Sequence, residues 1–487
     1  MKIKTISRSS DNYLPVRADD SQRLPRNLDP ALHPFERARE YTRALNATKL
    51  DRVFAQPFVG QMGRGHIDGV YSIAKNTRTL AHVATGSGDG VVKLWDLASQ
   101  EEALSVQAHS DIVRGMTVDL EGNLLSCSAD KTVKLWDVAG AVATKEDHIG
   151  SRRYVKGGGQ GTGGASEDEI KPLATYKGTG AFMGVDHHRD EPKFVTAGDS
   201  VELWDSSRSN RAVANLSWGA DNVSTVKFNM TETSVVATAG SDRSIVLYDI
   251  RTSTPVQKLV TTLRTNALAW NPMEAFIFCA GSEDHNVYLY DMRNLDKAQN
   301  VMKDHVAAVM DVDFDPTGQE IVSASYDRTL RIYRQREGHS RDIYHTKRMQ
   351  HVFCVRFTSD SKFIVSGSDD GNVRLWRRNA SERVGIMNAR QLSKKNYDDA
   401  LKERYKHMHD IRRISRHRQV PIAVKRAKDT KREELAKIKH KEDNLRRNSK
   451  KGTVPYVPER KKHILGTAIN NDQQQQDAEN NEDYDEE

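Results

Sequence analysis

The sequence predicts an all-β ring of seven four-stranded blades, flanked by an extended N-terminal arm and a basic α-helical C-terminal extension. Three observations carry that expectation. One short pattern recurs seven times, its closing aromatic residue returns at a nearly constant interval, and the pattern stops after Trp376, where Lys and Arg begin to accumulate.

The pattern is a strand of small residues, an acidic turn, then an apolar strand closed by Trp or Tyr. Its copies read VATGSGDGVVKLWD (83–96), LSCSADKTVKLWD (125–137), FVTAGDSVELWD (194–205), VATAGSDRSIVLYD (236–249), FCAGSEDHNVYLYD (278–291), IVSASYDRTLRIY (321–333) and IVSGSDDGNVRLW (364–376). The closing aromatics are Trp95, Trp136, Trp204, Tyr248, Tyr290, Tyr333 and Trp376, separated by 41, 68, 44, 42, 43 and 43 residues. A step of about 40 to 45 residues is the length of one propeller blade, so the copies predict a seven-bladed WD-repeat β-propeller over 55–380. The single long step marks an insertion at about 141–170. Its stretch DHIGSRRYVKGGGQGTGGASEDE is too rich in Gly, Ser and charge to pack and should be a mobile loop.

The chemistry inside the repeat reads as structural. Asp89, Asp130, Asp242, Asp284, Asp327 and Asp370 each lie six residues before the closing aromatic, where a carboxylate can accept backbone N–H bonds in a tight turn. The third copy departs, with Asp199 five residues before Trp204. His66, His109 and His305 lie 21 to 23 residues before their aspartates. They fit the buried His–Asp–Trp hydrogen-bond network that satisfies polar groups between neighbouring strands of such repeats.

A ring must be closed by its two ends, and the last copy has no outer strand of its own. The segment from Pro57 to Met62 is placed to supply it, which would remove a sheet edge. Before it, residues 1–54 form an arm with prolines at 25, 30 and 34, an extended run, and a short helix expected from about Phe35 to Ala44. The arm cannot make a core alone; it is expected to pack on the side of the propeller, and a role as a docking strap for another subunit is compatible with that. Beyond the ring, 381–463 reads as a basic helical domain with helices at about Ala389–His407, Asp410–Arg418 and Pro421–Arg447. Their apolar stripe of Leu401, Ile411, Ile414, Val424, Leu435, Ile438 and Leu445 is thin, so they need a partner surface. The strip KKGTVPYVPERKKH follows as extended chain, and residues 464–487 should be a disordered acidic tail.

Composition narrows the function classes. Hydrophobic residues make up 37% and charged residues 29% of the 487, as expected for one packed region diluted by polar segments. No apolar stretch suits a membrane span or a secretory leader. Cys127, Cys279 and Cys354 are scattered in apolar runs, which suits buried thiols in a reducing compartment. Gly159, Gly161 and Gly164 match G-x-G-x-x-G, but inside the inserted loop, with no strand before or helix after. His187 and His188 lack a spaced third ligand. No catalytic constellation, cofactor site, metal site or small-molecule substrate is therefore expected.

The net charge of +7 conceals a segregation. Residues 391–463 carry 24 Lys and Arg against 10 Asp and Glu, and 464–487 carry eight acids with no Lys or Arg. The candidate RNA- or partner-binding residues are Arg412, Arg413, Arg416 and Arg418, then Lys425, Arg426, Lys428, Lys431, Arg432, Lys437, Lys439, Arg446 and Arg447. Helical cations of this kind neutralise phosphates and displace counterions. The alternatives are an acidic protein surface or a merely solvated charged helix. Two copies also end in a Tyr-Asp-x-Arg box, at Arg251 and Arg293, which resembles the box by which propeller receptors attach to the adaptor of cullin-4 ubiquitin ligases, although such an arginine often only braces a strand end.

Several stretches are far more specific than the generic repeat. PRNLDPALHPFERAREYTRALNATKLDRVFAQPF (25–58), DIRTSTPVQ (249–257), WNPMEAF (270–276), DHVAAVMDVDF (304–314), YHTKRMQHVFCVRF (344–357), RRISRHRQVP (412–421) and PERKKH (458–463) resemble the suppressor-of-fibrillarin family of WD-repeat proteins. The resemblance runs from the N-terminus to about residue 463. It implies a non-enzymatic scaffold of the small-subunit processome, associated with the U3 snoRNP and its proteins and needed for pre-rRNA cleavage leading to 18S rRNA. It also implies a nuclear, nucleolar location and pre-rRNA as a partner of the basic arm. Animal members resemble receptors that bind the cullin-4 ligase adaptor, which gives the two Tyr-Asp-x-Arg boxes their alternative meaning.

Overall fold

The structure, a computed structural model, describes residues 35–138, 140, 171–208, 211–219, 222–382, 385–450 and 453–469. The inserted loop at 141–170 with Gly159, Gly161 and Gly164, the arm before residue 35, and the tail after Ile469 lie outside the described residues. The chain divides into two units, Phe58–Arg378 with Val420–Glu487, and Met1–Pro57 with Asn379–Gln419.

In the larger unit each copy of the repeat supplies the second and third strands of one antiparallel sheet. The third strands are Val91–Asp96, Thr132–Trp136, Val201–Asp205, Ser244–Asp249, Val287–Asp291, Leu330–Arg334 and Val373–Arg377, belonging to blades 1 to 7 in chain order. Every closing aromatic is buried. The second strands are small-residue strands because they are covered on both faces: His82–Ser87, Val235–Gly240 and Ile277–Ser282 are almost wholly buried. A Cβ on Gly86 of blade 1 would lie 2.6 Å from Val113 of blade 2, so the close approach of blades needs the missing side chain.

Each of the six repeat aspartates accepts the backbone N–H two residues on, at 2.9 to 3.3 Å. The intervening residue is left-handed every time: Gly90, Lys131, Arg243, His285, Arg328 and Gly371. The carboxylate thus ties down a turn whose strained residue is more often not glycine. In blade 2 the polar chain is complete. His109 Nδ1 lies 3.0 Å from Asp130 and Nε2 lies 2.8 Å from Ser126 Oγ, which accepts the Trp136 indole N–H at 3.0 Å. Blade 6 repeats the first two links, with His305 2.9 Å from Asp327 and 2.6 Å from Ser323.

Blade 1 departs from the expected network. His66 Nε2 and the Trp95 N–H both meet Thr85 Oγ1 at 2.7 Å, yet no bond joins His66 to Asp89 and the buried Nδ1 is without a partner. Burial, reinforced by Lys93, lowers the His66 pKa to about 4, so the ring stays neutral and can do without a carboxylate.

The ring closes through its two ends. Phe58–Gln61 pairs antiparallel with Val373–Arg377, setting Phe58 opposite Trp376 with the rings 5.4 Å apart, edge to face. The Met62 amide extends the ladder to Val373 O at 2.9 Å. Met62, Val70, Ile73 and Trp95 then share one core with Cys354, Val365 and Leu375, which welds blade 1 to blade 7. All three cysteines are free and buried, and burial pushes the Cys127 thiol up to about 12.

Two expectations about the flanks are corrected. The first concerns the N-terminal helix, α1, which runs over Glu36–Val53, well past Ala44, and finds its partners in the C-terminal extension. Helices α2 (Ala389–Arg404) and α3 (His409–Arg416) pack with it around Ala44, Leu401 and Ile411. Glu40 pairs with Arg404 at 3.0 Å and accepts the Tyr405 hydroxyl, and the Tyr41 hydroxyl donates to Asp410 at 3.1 Å. Asp410 therefore sits in the first turn of α3, whose N-cap is Met408. The extension is thus not one body: residues up to Gln419 join the arm, and those from Val420 join the ring's unit.

The second correction concerns the chain after residue 463. Following α4 (Ile422–Asn448) and the single turn α5 (Glu459–Lys462), Ile464–Ile469 is a strand rather than the start of an unstructured tail. It pairs antiparallel with Thr254–Thr261, making blade 4 five-stranded and satisfying that edge.

Candidate functional site

The predicted cations are divided by the structure into those held within the chain and those left facing outward. On α3, Ile411 points into the three-helix core, so Arg412, Arg413 and Arg416 project on the opposite side and are exposed. Arg418 is half-buried and donates to Ser415 O at 2.6 Å. None of the first three forms an ion pair recorded among the described residues.

On α4, Val424, Lys428 and Lys431 share the face turned to the ring. Lys428 Nζ lies 2.8 Å from Asp304, and Lys431 Nζ lies 3.3 Å from His285 Nδ1 and 3.1 Å from His305 O. Burial lowers the Lys431 pKa. Asp304 is the anchor of this contact. Burial alone would raise the pKa of this carboxylate, but Lys428 and the Ser340 N–H, which it accepts at 2.8 Å, outweigh burial and hold the pKa down at about 2. Arg446 is taken up by Glu442 at 3.2 Å and Asp443 at 3.1 Å and lies over the Tyr456 ring. Among the described residues Arg432 pairs with Asp429 alone, at 3.5 Å. Lys425, Arg426, Lys437, Lys439 and Arg447 stay exposed without an ion pair among the described residues. Leu435 and Ile438 remain about half exposed as well, at 53% and 52%.

Asp304, His285 and His463 are not among the residues that the sequence pattern singles out. Asp304 carried a signal, since it directly precedes the repeat histidine His305. His463 carried none, because its role depends on a residue far away in the chain. In the four blades closed by Trp, the indole N–H donates to a hydroxyl on the second strand, from Thr85, Ser126, Thr196 or Ser366, at 2.7 to 3.0 Å. Blade 5 has Ala280 at that register, opposite Tyr288. There His463 Nε2 reaches the Tyr290 hydroxyl, and its ring stacks on Tyr288 at 3.7 Å.

The two boxed arginines lie on the rim where third strands end. Arg293 donates to Asp291 through Nε and a terminal nitrogen at 3.1 and 2.8 Å and stacks over Phe276 at 4.3 Å. Arg251 meets Asp249 only at 3.4 Å. Both side chains stay largely exposed, at 63% and 75%.

Among the described residues no group of three or more His, Cys, Asp or Glu is arranged to hold a metal, and no helix is long and apolar enough to cross a membrane. His109 and His305 are engaged with Asp130 and Asp327 in blade turns, and His66 and His463 with Thr85 and Tyr290.

A family model described as the Sof1-like domain matches residues 378–464, and one described as WD domain, G-beta repeat matches 59–96, 101–137, 256–291, 296–334 and 338–377. Protein SOF1 of Saccharomyces cerevisiae is 53% identical over 96% of this chain and 95% of its own length. Protein sof1 of Schizosaccharomyces pombe is 53% identical over 96% and 99%. DDB1- and CUL4-associated factor 13 of Homo sapiens is 46% identical over 96% and 99%.

Proposed function

The chain belongs to the Sof1-like family of WD-repeat proteins, and from that premise we propose that it is a non-enzymatic scaffold for assembly of the small ribosomal subunit in the nucleolus. In this reading the propeller offers rigid surfaces to processome proteins and the U3 snoRNP, and the basic helices meet pre-rRNA. The outward cluster of Arg412, Arg413 and Arg416 is the observation that carries it, since three exposed guanidiniums on one helix face, without an ion pair among the described residues and set on a three-helix core, suit a phosphate backbone. The exposed Lys425, Arg426, Lys437, Lys439 and Arg447 extend the same chemistry along α4.

The triple substitution Arg412→Glu, Arg413→Glu, Arg416→Glu leaves the buried Ile411 side of α3 untouched. It is expected to leave thermal melting unchanged and to reduce co-sedimentation with pre-ribosomes and crosslinking to pre-rRNA at least ten-fold. Undiminished association would refute the reading.

A second reading, receptor of a cullin-4 ligase, is favoured by the exposure of Arg251 and Arg293 on one rim and by the adaptor named in the vertebrate relatives. Arg251→Ala with Arg293→Ala separates the two. Capture of the adaptor should fall if the box is its contact, while pre-ribosome association should stay as it was.

A further inference from the structure

Between blades 5 and 6 a cleft of about 540 Å³ opens on the rim where third strands end, lined by Glu274, Phe276, Arg293, Asn300, Arg336 and Arg460. Of its carboxylates, Asp291 beside the cleft is paired with Arg293, and Glu274 accepts the neutral Gln335 side-chain amide at 2.8 Å and keeps its charge. Arg336 and Arg460 are exposed and have no ion pair among the described residues. With Arg293 paired to Asp291, the lining sets Arg336 and Arg460 against the single carboxylate of Glu274, a net positive charge beside the Phe276 ring.

The strand Ile464–Ile469 runs toward this rim. Its partner Thr254–Thr261 starts there, since Thr254 pairs with Asp249 at the end of a third strand, and Ile469 comes to lie opposite Gln257. Thr467 Oγ1 donates to Asp296 at 2.9 Å, and the Ala298 amide bonds Arg460 O at 2.9 Å, so the chain passes along the loop that follows Arg293. Residues 470–487 continue from that point and hold Asp472, Asp477, Glu479, Glu482, Asp483, Asp485, Glu486 and Glu487 without one Lys or Arg. Eighteen residues at about 3.3 Å each can span about 60 Å.

We propose that this acidic segment docks in the cleft of its own chain, its carboxylates on Arg336, Arg460 and the exposed side of Arg293. Tethering matters more than affinity here. A short tether gives an effective concentration on the order of millimolar, so a contact that holds the free peptide with a dissociation constant on the order of 10 μM is almost fully occupied within the chain. The segment then competes with any partner that approaches the same rim, including one that reads Arg293.

The test uses a fluorescent peptide of sequence 470–487 and two proteins, the full chain and one ending at Ile469. The shortened chain is expected to bind the peptide saturably, at least ten-fold more tightly than the full chain, and less tightly as salt rises. Arg336→Glu with Arg460→Glu should weaken binding at least ten-fold at an unchanged melting temperature, and Arg336→Gln with Arg460→Gln should give an intermediate loss. Equal binding by the full and shortened chains, no binding by the shortened chain, or no effect of the Glu pair overturns the proposal. So does displacement of the peptide by single-stranded RNA at lower concentration than by unlabelled peptide, which would assign the cleft to nucleic acid.

Discussion

His463 Nε2 lies 2.8 Å from the hydroxyl of Tyr290, a residue 173 positions earlier in the chain. Both side chains are buried, and the His463 carbonyl accepts the Thr262 amide at 2.9 Å at the entry to the same blade. Blade 5, which has neither a repeat histidine nor a hydroxyl at position 280, obtains its polar partner from the C-terminal extension.

Replacing His463 with Ala should therefore act as a core mutation although it lies beyond the ring. Tyr290 loses its hydrogen bond and Tyr288 its stacked ring, a cost of about 2 to 4 kcal/mol. Hydrogen exchange is the direct readout: amides of Thr254–Thr261 and Ile464–Ile469 should open faster, while those of blade 2 keep their protection. Uniform protection across both blades would remove His463 from this role.

Acid should weaken the fold through two buried histidines. Burial lowers the pKa of both His66 and His463 to about 4. Between that value and about 6.5 the unfolded chain binds more protons than the folded one, so their contribution is complete above about pH 6.5 and drains away as pH falls toward 4. By pH 5 the loss is about 2 kcal/mol per histidine. Urea melts at pH 7 and pH 5 should show it, and His463→Asn should flatten the dependence; an unchanged slope in that variant would contradict the assignment.

Equivalent aspartates should not have equal weight. Asp130 serves both its turn and His109, whereas Asp89 serves the turn alone. Asp130→Ala should cost about 2 to 4 kcal/mol and Asp89→Ala about 1 kcal/mol. Denaturant midpoints of the two variants, compared with the wild-type chain, decide the matter; equal shifts would mean that the histidine link in blade 2 adds nothing.

The seven-bladed ring was legible because its determinants are local and repeated. A small-residue strand, an Asp turn and a closing aromatic lie within fourteen residues of one another, and their recurrence names both the blade and the count. Closure by Phe58–Gln61 was legible too, since a ring with one strand missing leaves a single candidate for it. The extension was only half legible. Charge density marked its cations, but which of them face outward depended on what each helix packs against, and Lys428 and Lys431 turned toward Asp304 and His305 while Arg412, Arg413 and Arg416 turned away from Ile411.

What the sequence determined by itself was the set of short-range decisions: strand, turn, aromatic closure, and the separation of a basic arm from an acidic end. Only the tertiary structure decided the long-range ones. It paired α1 with α2 and α3, set Ile464–Ile469 on the open edge of blade 4, and placed His463 against Tyr290. A thin apolar stripe, an unpaired strand edge and a blade without its histidine can each be satisfied by distant chain, and periodicity records that a partner is needed without recording which segment comes to fill the place.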